Sequence, residues 1–183
     1  MQIQLQALQE QYGFPAKQGF VKTNIPGVRF FWATQAVERT PLLYSSGIVI
    51  IGQGYKIGYL GDRVFRYDEN NYLLLGVPLP FDCETYATPE TPMLGVFIDI
   101  DLALLHELVP IVANDLPALE MGSHAVPRGV EPVELDDEMR DATERLLRCL
   151  ISPLDSNALG RSLVREILYR VFTGPAWTVS LRP

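Results

Sequence analysis

The sequence predicts a mainly β fold closed by C-terminal helices, an α+β chain in which a small barrel or sandwich is followed by about three α-helices. Three observations predict it. Between Val28 and Asp101, short runs rich in Val, Ile, Tyr and Phe alternate with turn residues, as in an all-β unit. After Asp101 the apolar spacing switches from alternation to helical period. The 183 residues suit a single domain, and 48% of them are hydrophobic, enough to fill a core without staples.

In chain order, Leu5, Leu8 and Tyr12 are spaced for one face of a short helix, which Gly13 and Pro15 end. Strands follow near Val28–Thr34, Gly47–Gln53, Tyr55–Leu60, Arg63–Tyr67, Tyr72–Gly76, Asp82–Ala87 and Met93–Ile100. Gly61-Asp62 reads as the turn of a tight hairpin, and Asp68 to Asn71 as a second polar break. Asp101 is a predicted N-cap, with Leu105, Leu108, Val109 and Val112 on one face of the helix behind it. A polar loop holds Gly122, Pro127 and Gly129. The next helix spans about Val133 to Ile151 and should bury Leu135, Met139, Ala142, Leu146 and Leu150. Its acids come first and its arginines later, which suits the helix dipole. The last helix starts near Asp155-Ser156, carries Leu159, Leu163, Ile167 and Val171 as one stripe, and stops at Thr173-Gly174-Pro175. Glu166 and Arg170 stand at the spacing of a helical ion pair.

Charge narrows the function. A net charge of −7 and a pI near 4.8 repel phosphate, so this segment by itself should bind nucleic acid poorly. Cys83 and Cys149 sit in separate apolar contexts and read as free thiols. The N-terminus lacks the basic and apolar regions of a signal peptide, and no run approaches a membrane span, so the expected location is the cytoplasm.

Catalytic patterns are few. His106 and His124 are the only histidines, eighteen positions apart, and no His-x-His or Cys-x-x-Cys spacing occurs. No metal or other cofactor is therefore expected. There is no Gly-x-Ser-x-Gly elbow. Asp99 and Asp101 read as a helix cap with a solvated neighbour rather than an acid–base pair. Gly52-Gln53-Gly54 precedes a strand and lacks the Lys-Ser/Thr of a phosphate loop, so it reads as a turn or bulge.

What remains is aromatic. Trp32, Tyr44, Tyr55, Tyr59, Phe65, Tyr72 and Phe97 fall in the β-region and, with Gln53, are the candidates for a small-molecule pocket. Tyr55, Ile57 and Tyr59 share one strand face, and Phe30 and Trp32 another. Taken singly, each reads more readily as ordinary barrel core; only together do they suggest a pocket lining. Lys56 would join Gln53 as a polar anchor if it faced inward, which alternation does not decide.

Taken as a string, the β-region resembles the N-terminal domain of AraC-type transcription regulators. The resemblance rests on Pro41 and Tyr44, then Ile48-Val49-Ile50-Ile51 running into Gln53-Gly54-Tyr55-Lys56. It continues through Leu60-Gly61-Asp62-Arg63, Phe65-Arg66-Tyr67-Asp68, Tyr72-Leu73-Leu74, Val77 to Pro80, Pro92 and Asp99-Ile100-Asp101. Val164 to Arg170 and Thr173-Gly174-Pro175 resemble the last helix of that domain. Ser45-Ser46 stands where the family tends to have Glu-Pro, and Asn70-Asn71 where it favours a glycine, a place asparagine tolerates.

The resemblance implies a cupin-like barrel, or double-stranded β-helix, that binds an effector or mediates dimerisation, without catalysis. The implied organisation is an N-terminal arm (1–27), the barrel (28–101), a helical segment packed on it or at a dimer seam (102–175), and the start of a linker (176–183). A helix-turn-helix domain would follow, and the protein would touch DNA only through it. Homodimerisation is expected because two-fold operators call for two-fold proteins, with Leu159, Leu163, Ile167 and Val171 as the candidate seam. The alternatives are a cupin-type enzyme, with or without metal, and a dimerisation module without a small ligand.

Overall fold

The computed structural model describes residues 1–115 and 129–174, with backbone alone for 113–115. In order these form α1 (Gln2–Tyr12), β1 (Gln18–Lys22), β2 (Val28–Ala33), β3 (Val37–Tyr44), β4 (Gly47–Gln53), β5 (Tyr55–Leu60) and β6 (Arg63–Tyr67). There follow β7 (Asn71–Leu75), β8 (Leu79–Tyr86), β9 (Met93–Asp99), α2 (Leu102–Asp115), β10 (Val130–Glu134), α3 (Asp137–Ile151) and α4 (Pro153–Thr173). The fold is mainly β with C-terminal helices, as expected.

Two antiparallel sheets face each other. One has the order β1-β2-β9-β4-β7-β10, the other β3-β8-β5-β6. The inner four strands of the first sheet and the four of the second make the eight-stranded, double-Greek-key arrangement of a jelly roll, the barrel of cupin-like folds. The Gly61-Asp62 hairpin forms as expected: Leu60 pairs with Arg63, and Gly61 takes φ 57°, a left-handed value that glycine adopts freely. The second turn is built differently. No described non-glycine residue has positive φ, so neither Asn70 nor Asn71 uses the left-handed region. Side chains close the turn instead: Asp68 Oδ1 accepts from Asn70 N at 3.0 Å, and Asn71 Oδ1 accepts from Asp68 N at 3.3 Å.

Three strands lie outside the predicted set, all on sheet edges. β1 falls in the segment expected to be an arm, and β10 in the segment expected to be helical. β3 and β10 contain Pro41 and Pro132, which argue against a central strand. At an edge the missing N–H faces away from any ladder, so proline is tolerated there. The helix expected from Val133 accordingly begins at Asp137, where Asp136 Oδ1 accepts from Met139 N at 2.8 Å. α4 begins at Pro153 rather than Asp155, because Ser152 caps it and proline suits the first helical position.

The predicted buried face of α3 is buried throughout. That of α2 is rotated: Leu104, Leu108 and Val112 are buried, whereas Leu105 is half-buried and Val109 is 49% exposed. On α4 the buried face is Val164, Ile167, Leu168, Val171 and Phe172. Ile167 and Val171 are thus enclosed by their own chain and unavailable to a dimer seam, while Leu159 is exposed and Leu163 half-buried. α3 and α4 are clamped together by Glu166, which accepts from Arg145 Nη1 and Nη2 at 2.7 Å each and from Arg170 Nη2 at 2.8 Å. The Arg145 guanidinium, with that of Arg170, holds the Glu166 carboxyl down at about 2.

The six-stranded sheet is buried on both faces, which explains the unbroken apolar run of β4. Ile48, Ile50, Leu94, Val96, Ile98, Phe30 and Tyr72 face the helices and form one core with Leu5, Leu8, Leu146 and Ile167. Val49, Ile51, Leu73, Leu75, Met93 and Phe97 face the barrel interior and meet Phe65, Tyr67, Phe81 and Cys83 of the second sheet. Alternation thus sorts neighbours into two separate cores. Each fully buried Ile, Leu or Phe contributes roughly 1.5–3 kcal/mol.

Candidate functional site

The barrel interior is filled at one end and hollow at the other. At the filled end Phe65, Phe81 and Tyr67 pack ring on ring, with Phe65 and Phe81 centroids 5.6 Å apart. The hollow end is a cavity of about 740 Å³ between the two sheets. Its first wall comes from β1, β2, β4 and β9, with Arg29, Phe31, Val49, Met93 and Phe97. Its second comes from β3, β5 and β8, with Leu42, Leu43, Tyr44, Lys56 and Thr85. Phe20, Leu42 and Leu43 are exposed apolar residues among its lining, Phe20 62% and Leu43 77%. The volume is within the range of small-molecule sites.

Glycines on neighbouring strands make room for the rings of the first wall. A Cβ on Gly95 would lie 2.5 Å from Phe31 Cζ and from the Ile50 carbonyl oxygen, and one on Gly47 would lie 2.4 Å from Phe97 Cε1. Strand alternation sets the rest. In β2, Phe30 and Trp32 turn to the helices while Arg29 and Phe31 turn inward.

Two cationic groups lie in this largely apolar lining. Arg29 donates from Nη2 to Asp99 Oδ1 at 2.5 Å and to Ser45 Oγ at 3.3 Å, and its guanidinium lies 4.3 Å from the centre of the Phe97 ring. Its Nε–H is buried without a hydrogen-bond partner. Asp99 is therefore an ion-pair partner rather than the solvated neighbour expected. Asp101 is the helix cap, its Oδ1 accepting from Ala103 N and Leu104 N.

Lys56 has no carboxylate partner among the described residues. It donates from Nζ to Tyr44 Oη at 3.2 Å. The Tyr44 and Tyr67 hydroxyls are 3.2 Å apart, and the Tyr67 hydroxyl is 3.3 Å from Cys83 Sγ. Burial raises the ionisation of both tyrosines and of Cys83, so all three stay neutral, and burial pushes the Lys56 ammonium below its ordinary value. The result is a line of neutral hydrogen-bonding groups ending at an amine in the cavity wall. Cys83 and Cys149 are both free and buried.

Of the eight pocket candidates, the structure brings Tyr44, Phe97 and Trp32 to the cavity. Trp32 belongs mostly to the helix side: its ring stacks on Phe14, and Nε1 donates to the Ala16 carbonyl at 3.0 Å. Phe65 points inward but packs at the filled end. Tyr72 is buried on the opposite face of its sheet, under the helices. Tyr55 and Tyr59 share a strand face as expected, and it is the outer one. There Tyr55 stacks on Tyr86 beneath Arg66, while Tyr59 lies under Arg39 and donates to Glu84 at 2.8 Å. Gln53 sits at the end of β4, its Nε2 donating to the Pro92 carbonyl. Of the two histidines, His106 is on exposed α2, and His124 lies outside the described residues.

Sequence reasoning missed Arg29, Phe31, Leu42 and Leu43. The signal for Arg29 was present: an arginine inside a strand whose other inward position is a phenylalanine is a charge that needs a partner. Leu42 and Leu43 were hidden because β3 itself was not predicted.

Comparison with known proteins agrees with the topology. None of the curated proteins matches the sequence. Among solved structures, apo ToxT of Vibrio cholerae superposes with a TM-score of 0.56 at 9% identity, over 83% of this chain and 58% of ToxT. ToxT of Vibrio cholerae bound to an unsaturated fatty acid gives 0.52 at 7% identity, over 86% and 54%. ToxT bound to (E)-4-(8-methylnaphthalen-1-yl)but-3-enoic acid gives 0.50 at 11% identity, over 78% and 57%. This chain therefore spans little more than half the length of those structures, and at such identities the likeness speaks for the fold. The family profile described as AraC-type transcriptional regulator N-terminus matches residues 24–178, which takes in the whole barrel and α2 to α4, and this chain belongs to that family.

Proposed function

We propose that this regulatory domain senses an apolar small molecule carrying an oxygen acceptor, held in the cavity between the two sheets. The observation that carries the proposal is the buried, unpartnered Nε–H of Arg29 on a residue of the cavity lining. A buried donor without an acceptor costs roughly 1–3 kcal/mol, a cost that a ligand oxygen would relieve. The surrounding Phe31, Leu42, Val49 and Phe97 would bury the rest of the ligand. The fatty acid and the aromatic butenoic acid bound by ToxT are molecules of this type, which supports the reading without transferring their identity.

In the regulator the signal would pass to a DNA-binding domain outside this chain, which would work as a cytoplasmic homodimer. α4 supports a partner contact best at its N-terminal end, where Leu154 and Leu159 are 76% and 53% exposed. The family's regulatory role argues against catalysis.

The test is a thermal-shift titration with octanoate, octanal and an aromatic acid, on the native chain and on Val49→Phe, which fills the cavity from β4. A ligand that binds only the folded state raises Tm with concentration, by the equivalent of about 2.7 kcal/mol at a hundredfold excess over Kd. We expect a rise with at least one probe in the native chain and none in the folded variant. Flat curves for every probe would remove the sensing function and favour a dimerisation module.

A further inference from the structure

We propose that Lys56 captures an apolar aldehyde or ketone reversibly as an imine, so that the effector is held by a covalent bond as well as by the cavity. The proposal deepens the sensing function above and rests on the same cavity.

Geometry supports it first. Lys56 is on the inward face of β5 and lines the cavity, with no carboxylate partner among the described residues to hold it as an ammonium ion. Its one hydrogen bond goes to a phenol, Tyr44 Oη, 3.2 Å away. Behind that phenol lie Tyr67 and the Cys83 thiol, both of which burial keeps protonated. Burial lowers the Lys56 ammonium from its ordinary value, so the free amine that attacks carbonyl carbon is more accessible than on an exposed lysine. The arginine of the same cavity cannot do this, because a guanidinium offers no nucleophilic lone pair and this one is tied to Asp99.

The chemistry balances without an added oxidant or reductant. The Nζ lone pair adds to the carbonyl carbon, and a proton moves from nitrogen to oxygen to give a carbinolamine. The Tyr44 hydroxyl then donates its proton to the departing hydroxyl, which leaves as water. The nitrogen lone pair forms the C=N bond, and the phenolate takes the remaining nitrogen proton. One carbonyl compound is consumed and one water released, and hydrolysis by the reverse path frees the ligand.

The chain's other lysines, Lys17 and Lys22, are exposed on the barrel surface and serve as internal controls. The folded chain is incubated with octanal and cyanoborohydride at neutral pH, then read by intact mass and peptide mapping. We expect a single octyl adduct, on Lys56 at least tenfold more than on Lys17 or Lys22. Lys56→Met should lose that adduct, and Tyr44→Phe should slow its formation. Equal labelling of the three lysines overturns the proposal. Octanoate raising Tm while octanal leaves Lys56 unmodified also overturns it but leaves the sensing cavity standing. No thermal shift with either probe, together with unselective labelling, removes both.

Discussion

The two faces of the six-stranded sheet are made from the same strands and have been put to opposite uses. On the helix face, side chains of β2, β4, β7 and β9 meet α1, α3 and α4 in a core where Phe30, Ile48, Leu94, Ile98, Ala142 and Ile167 are fully enclosed. On the barrel face, the intervening residues meet the four-stranded sheet, and one end of that interface is a cavity of about 740 Å³ bordered by Arg29 and Lys56. One face is closed by the helices apart from a smaller cavity of about 290 Å³ beside Ile48, Leu74 and Phe172. The other keeps a hollow, accepts two basic side chains and leaves one donor unsatisfied. Stability is concentrated where the helices lie, and recognition where they do not, so the domain can keep an unfilled site without losing its fold.

The sharpest way to break this comparison is to remove a ring from each face. Phe30→Ala on the helix face should cost ~3–5 kcal/mol, because the surrounding core cannot collapse around the void. Phe97→Ala on the cavity wall should cost about half as much, since part of that ring already faces empty space. Urea denaturation with unchanged m-values would measure both. Equal losses would mean that the cavity wall bears as much stability as the closed core.

A smaller effect is expected from filling the space that the cavity wall keeps open. Gly95→Ala places a Cβ against Phe31 and the Ile50 carbonyl, and should destabilise by ~1–3 kcal/mol. Because the backbone oxygen cannot rotate away, the relaxation falls to Phe31, which moves into the cavity. Ligand affinity should fall along with stability. A variant that loses stability but keeps its affinity would show that β2 and β9 separate instead.

The smallest effect concerns what holds the helices on the closed face. Glu166→Gln should cost about 1 kcal/mol at neutral pH, because the clamp is partly solvated and screened. The Glu166 carboxyl is depressed from 4.5 to about 2, so its contribution is complete above about pH 4.5 and is lost as pH falls towards 2. Stability curves of the native chain and the variant should therefore converge in acid. Ligand binding should be unchanged, since the clamp lies away from the cavity.

Legibility followed burial. Strands β2, β4 to β7 and β9 were readable because each has a buried face and hence a clear apolar pattern. The edge strands β1, β3 and β10 bury little, two of them carry proline, and none has an apolar run long enough to stand out. The site suffered from both problems. Leu42 and Leu43 lie on an unpredicted edge strand, and Arg29 sits in a strand whose two faces are both covered, so its position gave no hint of which side it takes. Tyr55 and Tyr59 show the converse error. Their shared face was correctly read, but alternation alone does not say which side of a sheet is inside.

By itself the sequence determined the central strands and the helices that follow them, the cap at Asp101, the tight hairpin at Gly61 and the family. These depend on local period, turn chemistry and short-range hydrogen bonds, all written in neighbouring residues. Only the tertiary structure decided which face of each strand looks into the barrel, that α4 buries Ile167 and Val171 within its own chain, and that Lys56 reaches Tyr44 rather than solvent. Those outcomes depend on which distant element covers a surface. A period of two or 3.6 residues names the faces of an element but not the neighbour that will bury them.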